Sequence, residues 1–99
     1  MKLLWLNLAE QDLDSLCDYV GEFNPLAARN VLQIIRDKVE HLPSHPGVGR
    51  PGRVHGTREL VISGTPYIVA YTVRPLLNAV VILRVLHGSR NWPEEFEAE

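Results

Sequence analysis

Apolar positions recur along this chain at two spacings, and the change from one to the other divides it. Residues 2–6 (KLLWL) are a short apolar run that reads as an opening strand. Leu13, Leu16, Cys17 and Val20 then recur at i, i+3, i+4 and i+7, giving one apolar helical face, while Glu10, Asp12, Asp14 and Asp18 take the other. Asn7 with Glu10 three residues on fits a capping box. Acids in the first turns suit the positive end of the helix dipole. Residues 21–23 read as a break between helices. Asn24 is a good N-cap and Pro25 is tolerated at the first helical position, so a second helix starts there. Ala28, Val31, Leu32, Ile35, Val39 and Leu42 form its stripe, and Pro43 ends it. Two helices joined by so short a break make an αα-hairpin.

Residues 43–56 hold three prolines and four glycines and read as a loop or a loosely paired edge. The period then shortens to two. Residues 58–62 are a strand, and Ser63-Gly64-Thr65-Pro66 is a turn. Residues 67–73 are a β-rich strand with Tyr67, Val69, Tyr71 and Val73 on one side. Residues 75–78 are the next turn and residues 79–87 the last strand, whose odd positions (Val81, Leu83, Val85, His87) are expected to face the helices. Short connections imply an antiparallel meander. The predicted fold is α+β, in the order β-α-α-β-β-β, with an antiparallel sheet packed against a helical hairpin. Residues 1–93 form a single domain, and residues 94–99 (EEFEAE) an acidic tail that is frayed or partner-dependent.

Composition changes the picture at one place. The chain has 99 residues, 45% apolar and 22% charged, which is ordinary for one globular domain. Its net charge is −2, yet residues 49–93 hold Arg50, Arg53, Arg58, Arg74, Arg84 and Arg90, no lysine and one acid, Glu59, for a formal charge of +5. Arginine binds carboxylate and phosphate through a planar bidentate fork that lysine lacks, so this half is suited to an anionic partner. Against that stands the ordinary surface arginine, paired weakly, here with the acidic face of the first helix. A pI near 6.1 excludes a generic nucleic-acid coat. The single cysteine, Cys17, excludes an internal disulfide and fits a reducing compartment. No signal peptide or span is visible, and the expected location is the cytoplasm.

Little dedicated chemistry is written in the motifs. His41, His45, His55 and His87 fall on different elements without metal-ligand spacing, and no cofactor motif is present. GVGRPG matches neither a Walker loop nor a dinucleotide fingerprint. Cys17 lies on an apolar face, where a thiol is a small hydrophobe. Acid–base cleavage of RNA is the one enzymatic candidate. His87 would be acid or base, Glu59 a base, and Arg58, Arg84 and Arg90 would hold charge. The competing reading of His87 is a rim histidine bonded to backbone. Trp92-Pro93 reads as an anchor pinning the chain end to the sheet, and Trp5 as sheet packing.

The strings GRPGRVHGTRELVISGTPYIVAYTV and VVILRVLHGSRNWP, behind the helical NPLAARNVLQIIRDKVEHLPSHPGVGRPG, resemble the RelE/ParE superfamily of toxins from bacterial type II toxin–antitoxin modules. The resemblance covers almost the whole chain. It implies the compact α+β toxin fold and a small antitoxin partner of ParD-like kind, whose disordered C-terminal segment folds as it binds and whose N-terminal part reads DNA. It also implies no cofactor. RelE-like members cut mRNA on the ribosome, whereas ParE-like members poison DNA gyrase without chemistry of their own. RelE-like members carry lysines ahead of the sheet and an arginine inside its central strand; this chain has no lysine after Lys38 and has Ile68 or its apolar neighbours at that place. GTREL and LRVLHG look more like the ParE branch.

The expected function is therefore a toxin that traps the gyrase–DNA cleavage complex and serves growth inhibition or plasmid stabilisation. Arg58, Arg84, Arg90 and Trp92 would meet the target, and Arg50, Arg53 and Arg74 the antitoxin. The alternatives are a ribosome-dependent mRNA endonuclease using His87, Arg84, Arg90 and Glu59, and a degenerate protein that only binds its antitoxin.

Overall fold

The computed structural model describes residues 1–96. Strand β1 (Lys2–Trp5) runs directly into helix α1 (Asn7–Phe23). Leu6 serves both elements: its N–H donates to Ile82 O at 3.0 Å, and its carbonyl accepts from Glu10 N at 3.1 Å. The N-cap is thus Leu6, without a side-chain cap, and Asn7 already lies inside the helix. The expected capping box from Asn7 to Glu10 does not form, because the strand ladder, rather than the local sequence, decides where the helix starts.

The expected break at residues 21–23 is also corrected. α1 continues through Gly21, and the chain turns at Asn24 alone, whose φ of −160° and ψ of 101° are extended. Gly21 serves packing here: a Cβ on it would meet that of Ala28 at 3.9 Å. Asn24 caps helix α2 (Pro25–Glu40) as expected, its Oδ1 accepting from Ala27 N at 3.1 Å, with Pro25 at the helix start. Such a cap contributes about 1 kcal/mol. The stripe on α2 buries Ala28, Ile35 and Val39, and fully buried Leu42 extends it just past the helix end.

The loop that follows does pair at the sheet edge, as the two-residue strand β2 (Arg50–Pro51) against β3 (Arg58–Val61). β4 (Tyr67–Arg74), a single 3-10 turn (Pro75–Leu77) closed by left-handed Asn78, and β5 (Ala79–His87) complete the regular structure among the described residues. The sheet order is β1-β5-β4-β3-β2. β3, β4 and β5 form the expected antiparallel meander, and β1 joins β5 in parallel after the helical crossover, so the five-stranded sheet is mixed.

The helices cover one sheet face. Ala9, Leu13, Leu16, Ile35 and Val39 pack there with Tyr67, Val69, Tyr71, Val80, Ile82 and Val85. The expectation that Val81 and Leu83 face the helices is overturned for β5. Tyr71 pairs with Ile82 but Ala70 pairs with Arg84, so Leu83 is an extra residue in β5 and the alternation shifts there. Val80 and Ile82 join the helix-side core before the bulge and Val85 after it. Ile68, Ala70, Thr72, Val81 and Leu83 are buried as well, so β4 is covered on both sides over most of its length.

Candidate functional site

Register places Arg50 opposite Glu59 on neighbouring strands, and the residues around that pair form a densely hydrogen-bonded polar cluster. Glu59 is 3% exposed. Its Oε1 accepts from Arg50 Nε (3.1 Å) and Nη2 (2.9 Å), and its Oε2 accepts from the backbone N (2.8 Å) and Nε (3.0 Å) of Arg53. Burial pushes this carboxyl up, but the Arg53 backbone N–H, the Arg53 side chain and Arg50 outweigh it and hold the group below its ordinary value. Arg50 and Arg53 remain 54% and 41% exposed at their side chains.

The neighbouring arginine is spent on backbone. Arg58 donates through Nε to Gly49 O at 2.8 Å and through Nη2 to Gly47 O at 3.0 Å and to Gly49 O. Buried Tyr71 closes the same loop from beneath, donating to Pro46 O at 2.7 Å and accepting from Gly49 N at 2.9 Å. Arg53 reaches further. Its guanidinium carbon stands 3.6 Å from the ring centroid of Trp92, whose Nε1 donates to His87 O at 3.1 Å. The expected Trp92 anchor is thus built from an arginine face and a strand-end carbonyl.

At the bare edge of β5, beyond the end of β1, Asp12 of α1 takes over. Its Oδ2 accepts from Arg84 Nε (2.8 Å) and Val85 N (2.9 Å), and its Oδ1 from Arg84 Nη2 (2.9 Å). This fulfils the expectation that some arginines pair with the acidic helix face. Arg74 is exposed at the end of β4 and donates from Nη1 to Thr72 Oγ1 at 3.4 Å.

A groove of about 330 Å³ opens beside this edge, between α1 and the end of β5. It brings together His87, Arg90, Tyr67, Tyr19 and Asp12. Burial, then the nearby Tyr19, raise the Tyr67 hydroxyl against the opposing charge of Arg90. The His87 ring meets Tyr67 edge-on at 5.9 Å, and its Nδ1 accepts from Ser89 N at 3.2 Å with Ser89 Oγ at 2.8 Å. The rim-histidine reading, a ring bonded to backbone, describes this geometry.

Of the residues named from sequence, Arg50, Arg53, Glu59 and Trp92 are thus linked in one cluster, and His87 and Arg90 share one groove. Asp12, Tyr67 and Tyr71 were not singled out. Only their neighbours across the sheet give them these positions, and no local spacing signals that. Among the described residues no group of His, Cys, Asp and Glu could hold a metal ion, and no helix is long and apolar enough to cross a membrane.

Comparison with known proteins gives the family. Residues 3–92 match the model of the ParE toxin of the type II toxin–antitoxin system parDE. The chain is 37% identical over 93 residues to a candidate toxin, Y4kP, of Sinorhizobium fredii, covering 94% of each. It is 34% identical over 89 residues to toxin RelE2 of Caulobacter vibrioides, covering 90% of this chain and 97% of that protein. A solved chain of the chromosomal ParDE toxin–antitoxin system from P. aeruginosa superposes with a TM-score of 0.75 at 33% identity, over 86% of this chain and 92% of the other. Mixed five-stranded sheet, helical hairpin and sequence thus agree, and the chain belongs to the ParE toxin family of type II toxin–antitoxin systems.

Proposed function

We propose that this toxin inhibits DNA gyrase by binding it and trapping the gyrase–DNA cleavage complex, in the cytoplasm, until a ParD-like antitoxin with a disordered C-terminal segment neutralises it. DNA is contacted through the antitoxin. The observation that carries the reading is where the charged groups are spent. Glu59 is buried under two arginines, Arg84 is held by Asp12, and His87 accepts at Nδ1 from Ser89. An acid–base centre needs a free base near the proton it takes, and these groups are engaged within the fold. Exposed Arg90 and the half-buried Trp92, Arg58 and Arg84 are the residues we assign to the target. Arg50, Arg53 and Arg74 offer exposed charge to the antitoxin.

The test is purified toxin with DNA gyrase, supercoiled plasmid and ATP, scored for linear DNA after detergent and protease. Dose-dependent linear product, suppressed by the antitoxin, is expected. Absence of linear product with normal supercoiling refutes it.

One observation favours a second reading. The groove unites His87, Arg90 and Tyr67, and one relative is named RelE2. On that reading the chain is a ribosome-dependent mRNA endonuclease, and His87→Ala abolishes mRNA cleavage on ribosomes while the fold persists. A chain inactive in both assays and harmless when expressed alone is a degenerate toxin that only binds its antitoxin.

A further inference from the structure

The groove between α1 and the end of β5 collects hydrogen-bond donors that the fold itself leaves unused. Arg90 is exposed and lines it, and among the described residues its guanidinium has no hydrogen-bond or ion-pair partner. The other five arginines between residues 49 and 93 are bonded within the chain. Two hydroxyls join Arg90. Buried Tyr67 and exposed Tyr19 both line the groove, and neither hydroxyl has a hydrogen-bond partner among the described residues. Tyr19 and Arg90 both lie within electrostatic reach of the Tyr67 hydroxyl, which burial keeps protonated and therefore a donor. The acid that lines the groove, Asp12, has both oxygens bonded to Arg84 and one of them also to Val85 N, so its charge is already balanced.

The chemistry of these groups selects a ligand. A guanidinium fork with two hydroxyls suits a phosphate monoester, whose three terminal oxygens are all strong acceptors. An internal phosphodiester offers only two. Beside the donors the lining is apolar, with Leu16 and Val85 buried, and the exposed Tyr19 ring is a stacking surface. A base stacked on such a ring gains about 1–3 kcal/mol. Asn91, also in the lining, can both donate to and accept from a base edge. The volume of about 330 Å³ is at the small end of ligand sites and suits one nucleotide rather than a strand.

We propose that this groove binds a single nucleotide through its terminal phosphate, with Arg90 and the hydroxyls of Tyr19 and Tyr67 holding the phosphoryl oxygens and the base lying against Leu16, Val85 and the Tyr19 ring. The nucleotide is a free one or the 5′ end of a strand, since both present the same monoester. No bond is made or broken, so the site differs from a centre that cuts inside an mRNA. It goes beyond both target readings, and its assay contains neither gyrase nor ribosome, so each can fail alone.

The probe is thymidine 5′-monophosphate titrated into the ¹⁵N-labelled full chain, with the amide signals of Ser89, Arg90 and Asn91 followed by NMR. Saturable shifts at these residues are expected. Thymidine without phosphate, inorganic phosphate alone, and the nucleotide with Arg90→Gln should each bind about tenfold more weakly. Arg90→Gln should leave the melting temperature unchanged, and Tyr19→Phe and Tyr67→Phe should each weaken binding about fivefold. A 5′-phosphorylated tetrathymidylate that binds more tightly than the mononucleotide identifies a strand end as the source, and one that binds more weakly identifies the free nucleotide. The proposal is overturned if the unphosphorylated tetramer binds as well as the phosphorylated one, if inorganic phosphate binds as well as the nucleotide, or if Arg90→Gln leaves affinity intact. Absence of saturable shifts at millimolar nucleotide overturns it as well.

Discussion

Replacing Glu59 by Gln tests whether the arginine-rich stretch is organised from within. The change keeps shape and removes charge. In the wild type the carboxylate accepts four donor contacts of 2.8–3.1 Å and a longer one of 3.4 Å from Arg53 Nη2. A glutamine keeps one acceptor oxygen and turns an NH2 group toward guanidinium donors. Breaking a buried ion pair from one side costs about 3–5 kcal/mol. Here the two arginines are 54% and 41% exposed and regain water, so the loss is smaller, about 2–3 kcal/mol. For a domain of this size that is a fall in Tm of about 10–15 °C. The pH dependence adds a sharper criterion. The Glu59 carboxyl is held below its ordinary value, so its contribution is complete above the unfolded carboxyl's pKa of about 4.3 and is lost as pH falls through the lower, folded value. Thermal melts of both proteins should therefore differ by a constant amount from about pH 6 to 8, and the gap should close in acid. Equal melting temperatures at neutral pH, or a gap undiminished near pH 3, would refute the account of Glu59 as the stretch's organising charge.

Three further outcomes are expected. Gly49→Ala would place a Cβ 2.6 Å from Tyr71 Oη and 2.9 Å from Glu59 O, and urea unfolding should show a loss of about 1–3 kcal/mol. Asp12→Ala removes the acceptor that covers the β5 edge, so hydrogen exchange at the Val85 amide should accelerate and stability fall by about 2 kcal/mol. In the gyrase assay Arg90→Ala and Trp92→Ala should each lower linear product several-fold while His87→Ala leaves it unchanged; loss of activity in His87→Ala alone would transfer the site to the groove.

Elements whose determinants are local were legible in the sequence. Asn24-Pro25 is a cap and a start in two adjacent residues, and the stripe from Ala28 to Val39 needs only the helical period. Features set by partners across the sheet were not. The start of α1 depends on Leu6 reaching Ile82, 76 positions away, and so the Asn7 box, plausible by its own spacing, never forms. The facing of β5 depends on a bulge seen only when β4 is laid beside it. For the candidate site, the charge segregation was visible but its internal partners were not. Glu59 stands out as the one acid among six arginines, yet only the β2–β3 register sets it against Arg50.

That register also bears on the absence of lysine, which in the sequence alone points toward an anionic partner. Each buried-side arginine uses its fork within the fold. Arg84 grips both oxygens of Asp12, and Arg58 spans two carbonyls. Arg53 bonds Glu59 through its edge while stacking its face on Trp92. A lysine ammonium is a compact point charge that can do one of these things at a time and cannot stack as a plane. The choice of arginine at Arg58, Arg84 and Arg53 is therefore accounted for by the loop, the edge and the Trp92 anchor before any partner arrives. An anionic partner must then compete for guanidinium groups already bound, or use those, like Arg90, that stand exposed. Charge-reversal at Arg90 should consequently weaken partner binding without lowering Tm, whereas reversal at Arg53 should lower both, and the two melting curves distinguish a charge kept for a partner from one kept for the fold.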